Sequence, residues 1–175
     1  MRILTPMVLI GYRGSGKTTV GQLLAERLNK PFADTDMRIV ERSGMTIREI
    51  FAIDGESSFR DLEAAAVTEI APNRDHVIAL GGGALGRPQN LTAIESAGHP
   101  IIYLRCEPQE LLRRIKADPQ SASARPPLSK LGGGLAEIEK ILAEREPLWE
   151  RVMSHKIDVT KLTPQQVVDA IVRLV

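Results

Sequence analysis

The pattern Gly-x-x-x-x-Gly-Lys-Thr occupies residues 11–18 and directly follows an apolar run at residues 7–10. A strand, this loop and a helix in that order form a phosphate-binding loop, whose glycines let successive backbone N–H groups point at an anion. The helix that we predict over residues 17–28 adds the positive end of its dipole. Lys17 supplies a cation for the β- and γ-phosphates of a nucleotide, and the Thr18 hydroxyl is placed to ligate Mg²⁺. An ordinary glycine-rich turn seldom matches all of the fixed positions, so we predict a nucleotide site.

Two carboxylates follow the second apolar run of the chain. Asp34 and Asp36 stand at i and i+2, and their side chains point the same way if the chain stays extended. At the carboxyl end of a strand beside the phosphate loop, one carboxylate can hold Mg²⁺ through water. The other can accept a proton from a substrate hydroxyl group. The alternative is an Asx turn that ends the strand, but the neighbouring phosphate loop favours the functional interpretation.

Three consecutive glycines, residues 81–83, follow the third apolar run. They allow the backbone to approach a small ligand closely and they expose N–H donors. The alternative is a flexible turn between a strand and a helix. These glycines are therefore candidates for contact with a second, small substrate.

Two arginines stand in unusual places. Arg145 lies on the apolar stripe of a helix predicted over residues 135–152, where a guanidinium must find an anion. That anion is either a structural carboxylate or the carboxylate of a ligand. Arg60 has Glu56 and Glu63 at i−4 and i+3, which can fix the orientation of its guanidinium, although an exposed ion pair is the alternative. Because arginine binds carboxylates in a bidentate manner, the two arginines and the glycines predict a pocket for a small polyhydroxy acid.

Five short apolar runs alternate with helical patterns along the chain. The runs are residues 7–10, 31–34, 76–80, 100–104 and 156–159. Strands separated by helices predict an α/β fold, with a five-stranded parallel sheet between two layers of helices and right-handed connections. Ligands then bind at the carboxyl ends of the strands.

Local signals mark the ends of several helices and one irregular segment. Residues 46–49 and 163–166 predict capping boxes, and Gly55 can close the helix that precedes it. A segment at about residues 115–134 is rich in proline, serine and glycine, which predicts a mobile lid with a glycine hinge rather than a regular element. A surface loop is the alternative. Arg125 favours the lid, because a cation on a closing loop can complete a phosphate site.

Composition limits the classes of function. The chain has 175 residues and a net charge of +1, which fits one domain over residues 1–175 and argues against a nucleic-acid partner. No apolar stretch is long enough to cross a membrane, and the first apolar run leads straight into the phosphate loop. We therefore expect a cytoplasmic protein. The one cysteine, Cys106, follows an apolar strand and is predicted to be a packed small residue.

Taken together and in order, these motifs resemble those of the shikimate kinase family, in the nucleoside-monophosphate-kinase-like group of P-loop enzymes. The resemblance covers nearly the whole chain and rests on residues 11–18, 34–36, 50–56, 59–63, 81–83, 125–126 and 145–149. It implies a P-loop kinase fold with a mobile lid and the strand order 2-3-1-4-5. It also implies that ATP, with Mg²⁺, phosphorylates the 3-hydroxyl group of shikimate in the pathway to chorismate and the aromatic amino acids. A monomer is expected.

The resemblance also implies which residues bind the nucleotide. They would be Gly11, Gly14, Ser15, Gly16, Lys17, Thr18, Thr19, Arg114, Arg125 and Pro164. Arg114 and Pro164 would flank the adenine, and Arg125 would be the lid arginine that reaches the phosphates on closure. Thr18 and, through water, Asp34 would hold the metal ion.

The same resemblance implies a site for shikimate in a helical segment at about residues 36–63 and in the glycine turn. Asp36 would bind the accepting hydroxyl group and act as its base, so that Lys17, Asp36 and Arg125 would form the catalytic set. Arg60 and Arg145 would clamp the carboxylate of shikimate. Glu63 would orient the arginines, and Gly82 and Gly83 would offer backbone contacts.

The chain departs from the family pattern in two places. The segment between residues 114 and 125 is longer than is usual in the family, and two prolines follow Arg125 where the family has one proline and then leucine. The adenine loop at residues 158–164 lacks the Asn and Arg pattern that is usual in the family. Two other functions stay open at this point: another small-molecule P-loop kinase, such as a gluconate kinase, and a nucleotide-dependent regulatory module without turnover. The pair of Arg60 and Arg145 argues against the first. The intact set of Lys17, Asp36 and Arg125 argues against the second.

Overall fold

The computed structural model describes residues 7–119 and 125–174, which contain one five-stranded parallel sheet. The strands are β1 (Met7–Ile10), β2 (Phe32–Asp34), β3 (Val77–Ala79), β4 (Ile101–Arg105) and β5 (His155–Asp158), in the order β2-β3-β1-β4-β5. The predicted order and direction are confirmed. The strand ends differ from the apolar runs by at most one residue, because backbone pairing and not burial decides where a strand ends.

Helices connect the strands on both sides of the sheet. They are α1 (Lys17–Leu28), α2 (Thr35–Ser43), α3 (Ile47–Ile53), α4 (Gly55–Ile70), α5 (Pro88–Ala97), α6 (Pro108–Ala117), α7 (Leu135–Val152) and α8 (Pro164–Leu174), with a short 3-10 helix at Ala84–Gly86. The helices predicted over residues 17–28 and 135–152 are confirmed as α1 and α7.

Both predicted capping boxes are present. The amide of Glu49 donates to the Thr46 hydroxyl at 3.2 Å, and the amide of Thr46 donates to the Glu49 carboxylate at 2.7 Å. Thr163 and Gln166 make the same pair of bonds at 3.3 and 2.9 Å. Gly55 has a φ of 84°, which lets the chain leave α3 and enter α4 directly.

The central strands are buried on both faces of the sheet. In β1, Leu9 pairs in register with Ala79 of β3 and Ile102 of β4, and all three residues are buried. Each large aliphatic side chain buried in this way stabilises the fold by about 1.5–3 kcal/mol. Cys106, which follows β4, is buried as predicted. Because the strands run parallel, the segments that follow β1, β2 and β3 come to one edge of the sheet.

A second, smaller core holds α2, α3 and α4 together. It is built on the buried residues Ile39, Ile47, Ile50, Phe59 and Ala66. The rings of Phe51 and Phe59 lie 4.8 Å apart between their centroids and add an aromatic contact. This core fixes the helical segment at residues 36–63 beside the carboxyl ends of the strands.

The described part of the proposed lid has little regular structure. Residues 115–117 form the last turn of α6, and residues 125–134 run through bends and turns to α7. The serines at positions 121–123, which contributed to the lid prediction, lie outside the described residues. Among the helices of the described ranges, none is both long and apolar enough to span a membrane.

Candidate active site

The phosphate-binding loop curls between β1 and α1 in the conformation that its glycines permit. Gly11, Gly14 and Gly16 have φ values of 149°, 83° and 96°. A Cβ atom on Gly11 would lie 2.7 Å from the carbonyl oxygen of Leu104, so only glycine fits there. Gly16 is the residue before α1, which leaves the first N–H groups of that helix open toward the loop.

The ammonium group of Lys17 lies inside this loop. Lys17 is only 9% exposed, and its Nζ donates to the carbonyl oxygens of Gly11 at 2.8 Å and Tyr12 at 2.9 Å. Burial, together with the nearby positive charge of Arg125, lowers the pKa of Lys17 to about 8. A phosphate anion beside Lys17 would favour its charged form.

Asp34 connects the second strand to the phosphate loop and to α2. The Thr18 hydroxyl donates to Asp34 Oδ2 at 2.7 Å, while the amides of Asp36 and Met37 donate to Asp34 Oδ1 at 2.9 and 3.2 Å. The predicted reason for the convergence of Asp34 and Asp36 is therefore wrong, because the chain does not stay extended. Asp34 caps α2 and Asp36 lies in its first turn.

Asp36 forms the contact between the lid and the rest of the site. Its Oδ2 accepts a hydrogen bond from Arg125 Nη2 in an ion pair whose two side chains are both largely buried. A Cβ atom on Gly81 would lie 2.8 Å from Asp36 Oδ1, which shows that the glycine turn at residues 81–83 runs against this carboxylate. The structure thus brings together residues from the segments that follow β2 and β3 and from the lid.

A cavity of about 470 Å³ extends from the phosphate loop toward α8. It is lined by the predicted nucleotide residues Gly14, Ser15, Gly16, Lys17, Thr18, Thr19, Arg114, Arg125 and Pro164, and by Arg13, Arg113, Asp118, Val159, Leu162 and others. The guanidinium of Arg114 is held along its wall by Glu110 at 2.8 Å and by the carbonyl oxygen of Val159 at 2.7 Å. Of the predicted nucleotide residues, Gly11 does not line this cavity.

A second, small cavity of about 40 Å³ adjoins Asp36 on the side of α4. It is lined by Asp36, Arg60, Glu63, Gly81, Gly82, Gly83, Arg125, Arg145, Ile47, Phe51 and Phe59, with Arg13, Pro126 and Leu128 from the phosphate loop and the lid. Every residue predicted to bind the polyhydroxy acid lies in this wall. Asp36 and Arg125 are shared with the larger cavity, so the two cavities meet at this pair.

The two arginines of the small cavity differ in their partners. Arg60 Nη1 donates to Glu63 at 2.8 Å and Nη2 donates to Glu56 at 3.3 Å, as predicted. Burial raises the pKa of Glu63, although the charge of Arg60 opposes that shift. Arg145 has no ion pair or hydrogen bond with any residue in the ranges 7–119 and 125–174.

The guanidinium of Arg145 is therefore not bound to any of the described residues. Burial lowers its pKa, and the positive charge of Arg60 lowers it further. A Cβ atom on Gly83 would lie 2.7 Å from Arg60 Nη1 and 3.3 Å from Arg145 Nη2, so both guanidinium groups lie against this glycine. Of the two anions left open by the sequence, no described carboxylate forms an ion pair with Arg145, although the charges of Glu63 and Glu144 act on it from a greater distance.

Two further charged residues at this site, Arg13 and Glu137, were not predicted from the sequence. Arg13 Nη2 lies 3.5 Å from Glu137 Oε2, and both side chains are largely buried. Arg13 occupies one of the free positions of the phosphate-loop pattern. Glu137 stands in the first turn of α7, where an acid is ordinary. Only the ion pair between Arg13 and Glu137, which the fold brings together, distinguishes these two residues from ordinary charged residues.

A model of the family described as shikimate kinase matches residues 13–175 of the chain. Among curated proteins, a shikimate kinase of Syntrophus aciditrophicus (strain SB) is 38% identical over 176 residues, covering 95% of this chain and 89% of that protein. A shikimate kinase of Mycobacterium avium (strain 104) is 41% identical over 166 residues, covering 94% and 90%.

The chain is also similar to solved structures. A shikimate kinase from Acinetobacter baumannii in complex with shikimate is 30% identical, with a TM-score of 0.89 over 98% of this chain and 93% of that chain. A gluconokinase from Sinorhizobium meliloti has a TM-score of 0.58 over 97% of this chain and 92% of that chain, at 20% identity, and therefore shares the fold alone.

Proposed function

The chain belongs to the shikimate kinase family, and on this premise we propose that the site described above transfers the γ-phosphoryl group of ATP to the 3-hydroxyl group of shikimate. The observation that carries the assignment to this site is the meeting of two cavities at Asp36. One has the loop and the cations that a nucleotide needs, and the other has Arg145, which has no partner within residues 7–119 and 125–174. Each proposed residue comes from a single chain, so a monomer would be sufficient.

The nucleotide would occupy the larger cavity. Backbone N–H groups of the phosphate loop, the start of α1 and Lys17 would bind the phosphates. Arg125 lines the same cavity, near enough to Lys17 to lower its pKa, so both cations would face the transferring group. Arg114 and Pro164 would flank the adenine at the far end.

The groups around Asp34 fit a Mg²⁺ ion. Burial raises the pKa of Asp34, and the negative charge of Asp36 raises it further, so a cation would relieve an excess of negative charge. The described residues contain no cluster of three or more acidic, histidine or cysteine side chains, and Mg²⁺ commonly binds through one or two protein oxygens together with substrate phosphates. Thr18 and, through water, Asp34 would hold the ion, which would neutralise charge on the phosphates.

Shikimate would bind between α4, α7 and the glycine turn. The small cavity alone has room for only a few water molecules, so the ligand would extend into a cavity of about 520 Å³ that shares Arg60 and Arg145 with it. Its carboxylate would lie between Arg60 and Arg145, because Glu63 already fixes the first guanidinium and the second has no partner among the described residues. Backbone groups of Gly82 and Gly83 would contact the ring. Asp36, at the junction with the nucleotide cavity, would accept a hydrogen bond from the 3-hydroxyl group.

In this arrangement the protein contributes alignment and charge. Phosphoryl transfer proceeds through a loose transition state, so most of the catalysis comes from positioning the hydroxyl group in line and from compensating the charge on the transferring group. Lys17 and Arg125 supply that charge compensation. Asp36 orients the hydroxyl group and takes its proton as the new bond forms.

Release of ADP tests the function directly. We expect the purified protein to release ADP from ATP and Mg²⁺ only when shikimate is added. Gluconate, measured in parallel, is expected to give no release above the background without acceptor. Release that depends on gluconate, or that is the same with and without shikimate, would contradict the assignment.

Replacement of Arg114 by alanine tests the adenine end of the site. We expect the dissociation constant of ADP to rise about tenfold, because a guanidinium that stacks on an aromatic ring contributes about 1–2 kcal/mol. Calorimetric titration without shikimate measures this constant. The matched control is Lys116→Ala, since Lys116 is exposed on the same helix. Equal constants for the two variants would place the adenine elsewhere.

A further inference from the structure

Arg13 and Glu137 form a buried ion pair that has no part in the proposed binding of either substrate. The Glu137 side chain is 0% exposed and that of Arg13 is 12% exposed, with 3.5 Å between Nη2 and Oε2. Two of their buried atoms, Arg13 Nε and Glu137 Oε2, have no hydrogen-bond partner among the described residues. Such a pair contributes little to stability, because the cost of desolvation offsets the attraction. The other contacts of the two side chains therefore indicate the role of the pair.

Both side chains also bind the part of the lid at residues 125–134, which is called the lid from this point on. Arg13 Nη1 donates to the carbonyl oxygen of Pro126 at 3.2 Å, and the amide of Ser129 donates to Glu137 Oε1 at 2.5 Å. A Cβ atom on Gly133 would lie 3.8 Å from Arg13 Nη2 and 3.9 Å from Glu137 Oε2. The pair therefore binds the lid backbone at Pro126 and Ser129, from the phosphate loop and from α7, and lies beside Gly133.

The lid also contacts other described residues, through the ion pair of Arg125 with Asp36, a hydrogen bond from Arg48 and the packing of Leu128 against the apolar core around the sheet. Its residues form bends and turns, so helix or sheet hydrogen bonds do not fix its backbone. Arg48 donates to the carbonyl oxygen of Arg125, but only at 3.4 Å and from an exposed side chain. Pro126, which Arg13 binds, directly follows Arg125. The carbonyl group that the pair holds is thus one residue from the guanidinium that binds Asp36.

We propose that Arg13 and Glu137 are positioning residues, which together hold the lid backbone so that Arg125 lies between the phosphate loop and Asp36. The kinetic consequence rests on the proposed function, whereas the physical link between the pair and the lid does not. A cation lowers the barrier most when its position is set before the reaction begins. A displacement of about 1 Å can cost about 100-fold in rate.

The Glu137→Gln variant tests this role. It keeps an acceptor for the amide of Ser129 but removes the charge that faces Arg13. We expect kcat for shikimate phosphorylation to fall about 10- to 100-fold, while the dissociation constant of ADP without shikimate changes less than about threefold. The matched control is Glu139→Gln, since Glu139 is exposed on the same helix, and it should leave both constants unchanged.

Trypsin provides a second readout that is independent of activity. Lys130 is exposed in the lid, and cleavage after it reports how often the lid leaves its place. We expect cleavage at Lys130 to be about tenfold faster in Glu137→Gln than in the wild-type protein and in Glu139→Gln. Thermal unfolding of each variant shows whether a faster cleavage is confined to the lid.

A double variant separates positioning from general stability. Arg13→Met combined with Glu137→Met replaces the pair by apolar side chains, which commonly restores stability lost on breaking a buried pair. We expect this variant to melt near the wild-type temperature, yet to keep the low kcat and the fast cleavage at Lys130. Recovery of kcat together with the melting temperature would show that the pair is only structural.

The outcomes distinguish this proposal from the proposed function. Faster cleavage at Lys130 in a protein that does not phosphorylate shikimate would support the link to the lid and overturn the function. An active kinase in which Glu137→Gln changes neither kcat nor the cleavage rate would overturn the positioning role and leave the function intact.

Discussion

Replacement of Asp36 by asparagine is expected to lower kcat for shikimate phosphorylation by at least about 100-fold, the usual range for loss of a group that takes a proton in the transition state. Asparagine keeps the size of the side chain but has no charge to accept the proton or to bind Arg125. The dissociation constant of ADP should change less than about threefold, because Asp36 faces the acceptor. Steady-state kinetics and calorimetric titration measure the two quantities.

The control for this variant is Asp54→Asn. Asp54 is exposed at the end of α3, within the same helical segment, and has no ion pair with any described residue. We expect its kcat to equal that of the wild-type protein. Normal turnover in Asp36→Asn would mean that another group receives the hydroxyl proton and that Asp36 only holds the lid through Arg125.

Replacement of Arg145 by leucine is expected to raise KM for shikimate about 100-fold. Two hydrogen bonds from a guanidinium to a carboxylate contribute about 1.5–3 kcal/mol each, so a loss of about 3 kcal/mol is a conservative expectation. The fold should be retained, because Arg145 lies on the apolar side of α7 and leucine matches its neighbours. The melting temperature should not fall, since the change removes a largely buried charge that lies beside Arg60.

The Arg151→Leu variant controls for charge and helix propensity, because Arg151 is exposed on the same helix. Its KM for shikimate should be that of the wild-type protein. An unchanged KM in Arg145→Leu, with normal folding, would show that the carboxylate binds elsewhere and that Arg145 has a structural role. A rise in KM for ATP but not for shikimate would place Arg145 in the nucleotide site instead.

Local sequence patterns were enough to predict the elements and the class of ligand. The phosphate loop is a contiguous pattern whose backbone N–H groups come from neighbouring residues, so its geometry depends little on the rest of the chain. The capping boxes at Thr46 and Thr163 are equally local. Apolar runs alternating with helical periods predicted the parallel sheet, because only buried strands can be apolar on both faces.

Only the tertiary structure decided how the charged groups meet. Asp34 and Asp36 converge through the first turn of α2 and not through an extended strand. Arg145 could have paired with a carboxylate, and its freedom among the described residues became visible only when α7 was packed beside the glycine turn. Arg13 and Glu137 were not predicted from the sequence, because a contact between residues far apart in the chain depends on packing. Local patterns record interactions with near neighbours, whereas ion pairs across a fold are set by the way helices and loops pack against the sheet.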